Sequence, residues 1–222
     1  KMVDFLIEQG VTLERAAEFW PDYYDELDGG CKTSRTVTAR YFDKAELGPI
    51  WSKKLRPGFV SAPVRLSEGM KLPYAKHSWA IKGLILKIAG RFISGKLTGK
   101  QWVSAGAALQ GRMLKAALDA GAEVMTSAPV KELIQDNGRI TGVVAEIDGK
   151  AQRIGASLGV LVNAGGFAQN QAMRDQYMPG TQAAWSNTPE GDTGDMHQEM
   201  ARIGVQLGQM NEMVGYQMTP MP

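Results

Sequence analysis

From residue 105 to residue 120 the apolar positions fall at helical spacing, with Ala105, Ala108, Leu109, Met113, Ala116 and Ala117 on one side. Gly121 stands where a left-handed residue ends such a helix. The period then shortens. Glu123 to Thr126 predicts a short strand, and Val130 to Ile134, Ile140 to Ile147 and Gln152 to Ile154 predict a β-meander. Asp136-Asn137-Gly138 and Asp148-Gly149 between them are favourable tight-turn sequences. An apolar run at Val160 to Val162 predicts a buried strand that opens onto Ala164-Gly165-Gly166. A helix is expected from His197 to Leu207, behind Thr193-Gly194-Asp195. Upstream, residues 79–94 predict a helix flanked by loops at 71–76 and 94–100.

Two of these junctions suggest chemistry. Glycines after a strand permit positive φ and let the main chain lie against a bulky planar or anionic group. Gly165 and Gly166 hold that position. Thr193-Gly194-Asp195 ahead of a helix offers free N–H groups and a favourable dipole. Two readings stand for Asp195, a ligand-contacting carboxylate and a plain N-cap, and one carboxylate is able to do both.

Composition narrows the classes. With 222 residues, 44% hydrophobic and 22% charged, the chain can bury a sizeable core. A net charge of +2 without an aromatic-basic stripe gives no reason to expect a nucleic-acid partner. Cys31 is the single cysteine; it excludes an internal disulfide framework, fits a reducing cytoplasm and reads as a turn residue. His77 and His197 have no partners at metal spacing, so no metal site is expected, and no Gly-x-Ser-x-Gly supports serine hydrolase chemistry.

The helix at 79–94 carries Lys82, Lys87 and Arg91 along an otherwise apolar run. It is too short and too charged to span a bilayer. One reading is an interfacial helix lying on a membrane; the other is a helix packed on its domain with lysines snorkelling outward. The methionines at 196, 200, 210, 213, 218 and 221 either line a pliable apolar pocket or supply adaptable packing.

The order helix, strand, meander, strand ending in Ala-Gly-Gly is carried by GAALQGRMLKAALDAGAEVMTSAPVKELIQDNGRITGVVAEIDGK, then IGASLGVLVNAGGFAQNQAM, then TGDM. It resembles the middle of an FAD-dependent oxidoreductase of the fumarate reductase/3-ketosteroid dehydrogenase superfamily. Residues 19–49, FWPDYYDELDGGCKTSRTVTARYFDKAELGP, are similar to the stretch that 3-ketosteroid Δ1-dehydrogenases carry ahead of that core. There a Pro-Asp-Tyr-Tyr sequence is followed by a glycine turn and an Arg-Ser/Thr pair. The likeness runs along nearly the whole chain and is weakest over 53–98.

The resemblance implies a mixed α/β fold, the central part of a Rossmann-type FAD-binding domain with a β-meander. Residues 1–98 would be an insertion forming one wall of the active site, 99–214 the flavin-contacting core, and 215–222 the start of a crossing to a substrate domain. Such flavoproteins hold the FAD pyrophosphate at a helix N-terminus behind G-x-G-x-x-G. This sequence has no such motif. It also opens in mid-pattern at Lys1-Met2-Val3, so it is expected to be an internal piece, lacking the C-terminal substrate half as well and inactive alone.

For FAD, the resemblance assigns the backbone of Val130, in Thr-x-x-Pro-Val, to the adenine edge. It lays Ala164, Gly165 and Gly166 along the cofactor and brings Asp195 to the flavin site. Tyr23 matches the first tyrosine of Pro-Asp-Tyr-Tyr, which in the ketosteroid dehydrogenases faces the steroid and supports a second tyrosine acting as base. Read from the residues alone, Tyr23 and Tyr24 are two more core aromatics beside Trp20. The reaction implied is a 1,2-desaturation of a 3-ketosteroid: a base takes the C2 proton, flavin N5 takes the C1 hydride, and an external acceptor takes the electrons. A phenol with its ordinary pKa of about 10 needs a hydrogen-bonded neighbour to act as base.

The chain departs from the family's common pattern in Asn163-Ala164-Gly165-Gly166, where Ala-Thr-Gly-Gly is usual, and in Met196 after Thr-Gly-Asp. Two other functional readings remain open: a fumarate-reductase-like flavoprotein reducing a small unsaturated acid, and a non-catalytic scaffold or binding fragment. The expected setting is the cytoplasm, with peripheral membrane contact through 79–94 as one reading of that helix.

Overall fold

The computed structural model describes residues 1–15, 26–31, 35–56, 58 and 61–212, and the chain divides into two compact units between Val124 and Met125. In the first unit the elements are α1 (Met2–Glu8), β1 (Leu13–Arg15), β2 (Val37–Ala39), β3 (Phe42–Asp43), a 3-10 turn at Lys44–Leu47 and α2 (Gly48–Lys54). There follow α3 (Leu66–Gly69), a 3-10 stretch at Leu72–His77, α4 (Trp79–Leu97), β4 (Trp102–Val103) and α5 (Ala105–Asp119). β1 pairs antiparallel with β2, and β3 with β4.

The first unit's core forms around Phe42, with Ala39, Leu47, Val103, Ala107 and Ala108 buried beside it. α5 reaches this core through small residues because the Phe42 ring lies close against its backbone: a Cβ on Gly111 would stand 2.7 Å from Phe42 Cδ1. The buried face of α5 is therefore Ala107, Ala108 and Gly111, while Leu109 and Met113 on the expected side are exposed. A contact this close has no room for long side chains. Arg112 fixes the helix further, donating to the carbonyls of Tyr41 at 2.9 Å and Arg40 at 3.3 Å with its guanidinium 5.2 Å from the Phe42 ring centre. These attachments put α5 in the first unit.

α5 ends as read. Gly121 takes φ 84°, its amide donates to Leu118, and the amide of Ala122 donates to Ala117, which makes a Schellman motif. α4 closes in the same manner: Gly99 takes φ 73° and the Lys100 amide donates to the Gly95 carbonyl at 2.8 Å. The helix consequently runs to Leu97, into the stretch expected to be a loop, and Leu72–His77 coils where a loop was also expected. On its inner side Gly95 lies under Trp102, and Arg91 pairs with Glu68 at 2.7 Å.

The second unit carries the meander: β5 (Val130–Asp136), β6 (Arg139–Ile147) and β7 (Lys150–Gly155), antiparallel in that order. Both turns are the expected ones. Asn137 and Gly138 take φ 47° and 79°, Asp148 and Gly149 take 53° and 71°, so each two-residue turn has both centres left-handed, as type I′ requires. Then come α6 (Gln171–Tyr177), a 3-10 turn at Ala183–Trp185 and α7 (Asp195–Arg202).

Three expectations fail in or beside this unit. Val160 to Val162 and Glu123 to Thr126 join no ladder, and Leu161 is 92% exposed. A strand exists only with a hydrogen-bonded neighbour, and neither run has one among the described residues. α7 stops at Arg202 instead of Leu207. Gly204 at φ 88° turns the chain, with its amide on Ala201 and that of Val205 on Met200.

Candidate functional site

Two turns of the second unit lie side by side. The chain after Val162 turns at Gly165, which takes φ 77°, and a Cβ there would collide with the Asp192 carboxylate. At Gly166 an added Cβ would meet nothing within 4 Å, so one side of this main chain stands open. The second turn, Thr193-Gly194-Asp195, opens α7. Gly194 is its N-cap at φ 74° and is buried against Met173 and Phe167; a Cβ there would stand 2.7 Å from Phe167 Cβ. Only glycine fits both the angle and the space.

Hydrogen bonds hold the turns together. The Gly194 amide donates to the Gly166 carbonyl at 3.0 Å, and the Gln169 amide donates to the Asp192 carbonyl at 2.9 Å. Asn170 works in both directions: its side-chain oxygen accepts from the Met173 amide at 3.1 Å as the N-cap of α6, and its NH2 donates to the Thr193 carbonyl at 2.8 Å. Buried Arg174 fastens the same loop, donating to the Ala168 carbonyl at 3.1 Å and to the Thr181 hydroxyl at 3.0 Å.

Asp195 is the first residue of α7, not its N-cap, and its carboxylate is exposed. It accepts from the Thr193 hydroxyl at 3.0 Å and sits where the helix dipole favours negative charge. Val130 begins β5 opposite Ala145. That strand is tied to α7 from behind, because the buried Glu199 carboxylate accepts from the Leu133 amide at 2.6 Å. Glu199 also receives two bonds from Arg202, at 2.6 and 2.7 Å, which hold its carboxyl below the ordinary carboxylate range against the opposing effect of burial.

The structure thus brings Ala164, Gly165 and Gly166 together with the turn that bears Asp195, and joins the strand of Val130 to the same helix. Tyr23 and Tyr24 lie outside the described residues, as do the methionines at 213, 218 and 221 and the segment 215–222. The sequence reading passed over Asn170, Arg174 and Glu199 as supports. Signals for two of them existed: an Asn directly before a helical run is an N-cap pattern, and Glu199 and Arg202 are opposite charges one helical turn apart. No group of three or more metal-ligating side chains is found among the described residues, and none of the described helices is long and apolar enough to cross a membrane.

A family model described as "FAD binding domain" matches residues 1–221. The 3-oxosteroid 1-dehydrogenase of Comamonas testosteroni is 33% identical over 89% of the chain. The 4-oxocyclohex-2-ene-1-carboxylate 5-dehydrogenase of Sinomonas cyclohexanicum is 44% identical over 34% of the chain, matching 13% of that protein. Among solved structures, the 3-ketosteroid Δ1-dehydrogenase of Sterolibacterium denitrificans, in complex with 1,4-androstadiene-3,17-dione, superposes with a TM-score of 0.81 at 29% identity. That match covers 95% of this chain and 40% of the other. The chain spans 36% of the length of the Comamonas relative.

Proposed function

The chain belongs to the FAD binding domain family, and from that premise we propose that it is the central, flavin-contacting part of a dehydrogenase acting on a 3-ketosteroid. The strongest structural support is the hydrogen bond from Gly194 to Gly166, which sets an open glycine main chain beside the N-terminus of α7. A flat ring fits against a backbone without Cβ atoms, and developing negative charge fits a helix N-terminus. In this reading Ala164, Gly165 and Gly166 lie along the cofactor, Asp195 borders the flavin ring, and the main chain of Val130 reads the adenine edge. Residues 99–214 are then the flavin-contacting core, residues 1–98 one wall of the active site, and 215–222 the start of the crossing to a substrate domain.

FAD supplies hydride acceptance when bound. The chain's own contribution is position: glycines that admit the ring, a carboxylate at its edge, and Tyr23, which faces the steroid and supports the base that takes the C2 proton. An external electron acceptor and peripheral contact of residues 79–94 with a membrane complete the reading.

The test uses the enzyme expressed from its complete reading frame, given a 4-ene-3-ketosteroid without oxygen while the oxidised flavin absorbance is followed. Bleaching that is lost or greatly slowed in Tyr23→Phe supports both the reaction and the role of Tyr23. Bound flavin that stays oxidised overturns the steroid assignment, and a protein without flavin overturns the cofactor assignment.

A further inference from the structure

We propose that Asp192 is a cofactor-binding residue whose carboxylate accepts a hydrogen bond from an N–H or O–H group of FAD. This rests on the reading above that lays the cofactor along Ala164, Gly165 and Gly166, and it adds a charged side chain to that main chain. Asp192 makes neither of the bonds expected of an aspartate in a turn before a helix. Such a residue ordinarily accepts from the backbone amide two residues on. Here that amide belongs to Gly194, and it donates to the Gly166 carbonyl at 3.0 Å instead. The Thr193 amide is taken as well, by the Gly191 carbonyl at 2.9 Å. Nor does Asp192 cap α7, whose N-terminus carries no side-chain cap. Among the described residues no donor reaches the Asp192 carboxylate.

The fold nevertheless holds this carboxylate in one place. The Asp192 amide donates to the Pro189 carbonyl at 3.0 Å, and the Asp192 carbonyl accepts from the Gln169 amide at 2.9 Å, so its main chain is fixed on both sides. The Gln169 side chain fastens the same loop, donating to the Thr188 carbonyl at 2.9 Å. The Asp192 side chain is half-buried, and its Oδ1 takes the space that a Cβ on residue 165 would need. Gly165 is therefore glycine for two reasons, its φ of 77° and the carboxylate pressed against it. A carboxylate withdrawn from water needs donors for its lone pairs. Beside this one runs a glycine main chain that is open at Gly166, the surface along which the reading above lays the cofactor. FAD brings donors of two kinds, the ring N3–H and the hydroxyls of its sugar chains. Its pyrophosphate is excluded as the partner, since like charges repel.

The experiment compares the enzyme made from the complete reading frame with its Asp192→Ala and Asp192→Asn variants. Flavin fluorescence during titration of the flavin-free proteins gives the FAD affinity, absorption gives the visible bands, and circular dichroism gives the flavin-free melting temperatures. Asp192→Ala is expected to bind FAD about tenfold or more weakly, the loss that goes with one charge-assisted hydrogen bond. Asp192→Asn keeps a neutral acceptor oxygen and should fall between the two. The flavin-free melting temperatures should agree within about 2 °C, because the carboxylate bonds nothing in the described chain. Bands that shift in the alanine variant put the donor on the ring; unshifted bands with the same loss of affinity put it on a sugar hydroxyl. Wild-type affinity in Asp192→Ala overturns the proposal. So does a loss of affinity matched by a fall in the flavin-free melting temperature, which would make Asp192 a support of the turn. Unsubstituted enzyme that binds no FAD overturns the underlying flavin reading and this proposal together, so the two failures are told apart before any variant is made.

Discussion

The amide of Gly194 reaches the carbonyl of Gly166 at 3.0 Å, and this bond joins two turns that are 28 residues apart in sequence into one ledge. Gly194 cannot be exchanged for a residue with a side chain. It takes φ 74°, and an added Cβ meets Met173 and Phe167. Gly194→Ala is expected to cost about 2–4 kcal/mol, the sum of left-handed strain and overpacking. Denaturant unfolding followed by circular dichroism measures it. A loss below about 0.5 kcal/mol would show that the ledge yields easily.

Glu199 makes the second unit acid-sensitive. Its carboxyl is held low chiefly by the hydrogen bonds from Arg202, with the Leu133 amide adding to them and burial opposing. A carboxyl whose folded pKa lies below its unfolded value stabilises fully above the unfolded value of about 4.3, and that stabilisation is lost as pH falls through the folded value. Stability should therefore decline as pH falls below about 4.3. Glu199→Gln should lower stability at pH 7 by about 1–3 kcal/mol and flatten that decline. Thermal melts of both proteins across pH 3 to pH 7, roughly the carboxylate range, test the pair of outcomes; an acid limb unchanged in the variant would assign the sensitivity to other carboxylates.

What the sequence made legible was local. Asn137-Gly138 and Asp148-Gly149 dictate their turns by backbone angle alone, and Gly121 ends α5 by the same means, so each was readable from a few neighbours. The inward side of α5 was not, because it is set by how near Phe42 comes, and Phe42 is remote in sequence. Leu109 and Met113 looked like core and are not. The bond from Glu199 to the meander was illegible for the same reason: its partner amide, Leu133, is 66 residues away. At the candidate site the motifs Ala164-Gly165-Gly166 and Thr193-Gly194-Asp195 were each legible as glycine turns, while the hydrogen bond that makes them neighbours joins residues 28 positions apart. Of the two readings of Asp195, the N-cap fails, since the left-handed turn at Gly194 takes that position.

Two glycines of α5 should respond to alanine in opposite directions. Gly106 sits in the helix with open space where a Cβ would be, so Gly106→Ala should stabilise the chain by a few tenths to about 1 kcal/mol through helix propensity. Gly111→Ala gains the same propensity but drives a methyl to 2.7 Å from the Phe42 ring and 3.1 Å from Leu55, and should cost about 1–3 kcal/mol net. Urea titrations of both variants settle it, and a stabilised Gly111→Ala would mean that Phe42 shifts freely.

Asn170 separates the support of the site from its folding. Its oxygen caps α6 and its NH2 holds the Thr193 carbonyl, so the two substitutions Asn170→Ala and Asn170→Asp remove different things. Alanine loses both bonds and should cost about 1–2 kcal/mol of stability. Aspartate keeps the cap oxygen for Met173, loses the donor to Thr193, and sets a carboxylate against a carbonyl oxygen beside the turn that carries Asp195. It should leave most of the helix-cap stability in place while loosening the ledge. In the enzyme made from the complete reading frame, Asn170→Asp is therefore expected to bind FAD about tenfold or more weakly, with a visible shift of the flavin absorption bands, at a melting temperature that falls less than in Asn170→Ala. A purely structural Asn170 would give flavin affinities that track the melting temperatures of the two variants. A spectrum and affinity unchanged in both would remove the ledge from the flavin site altogether.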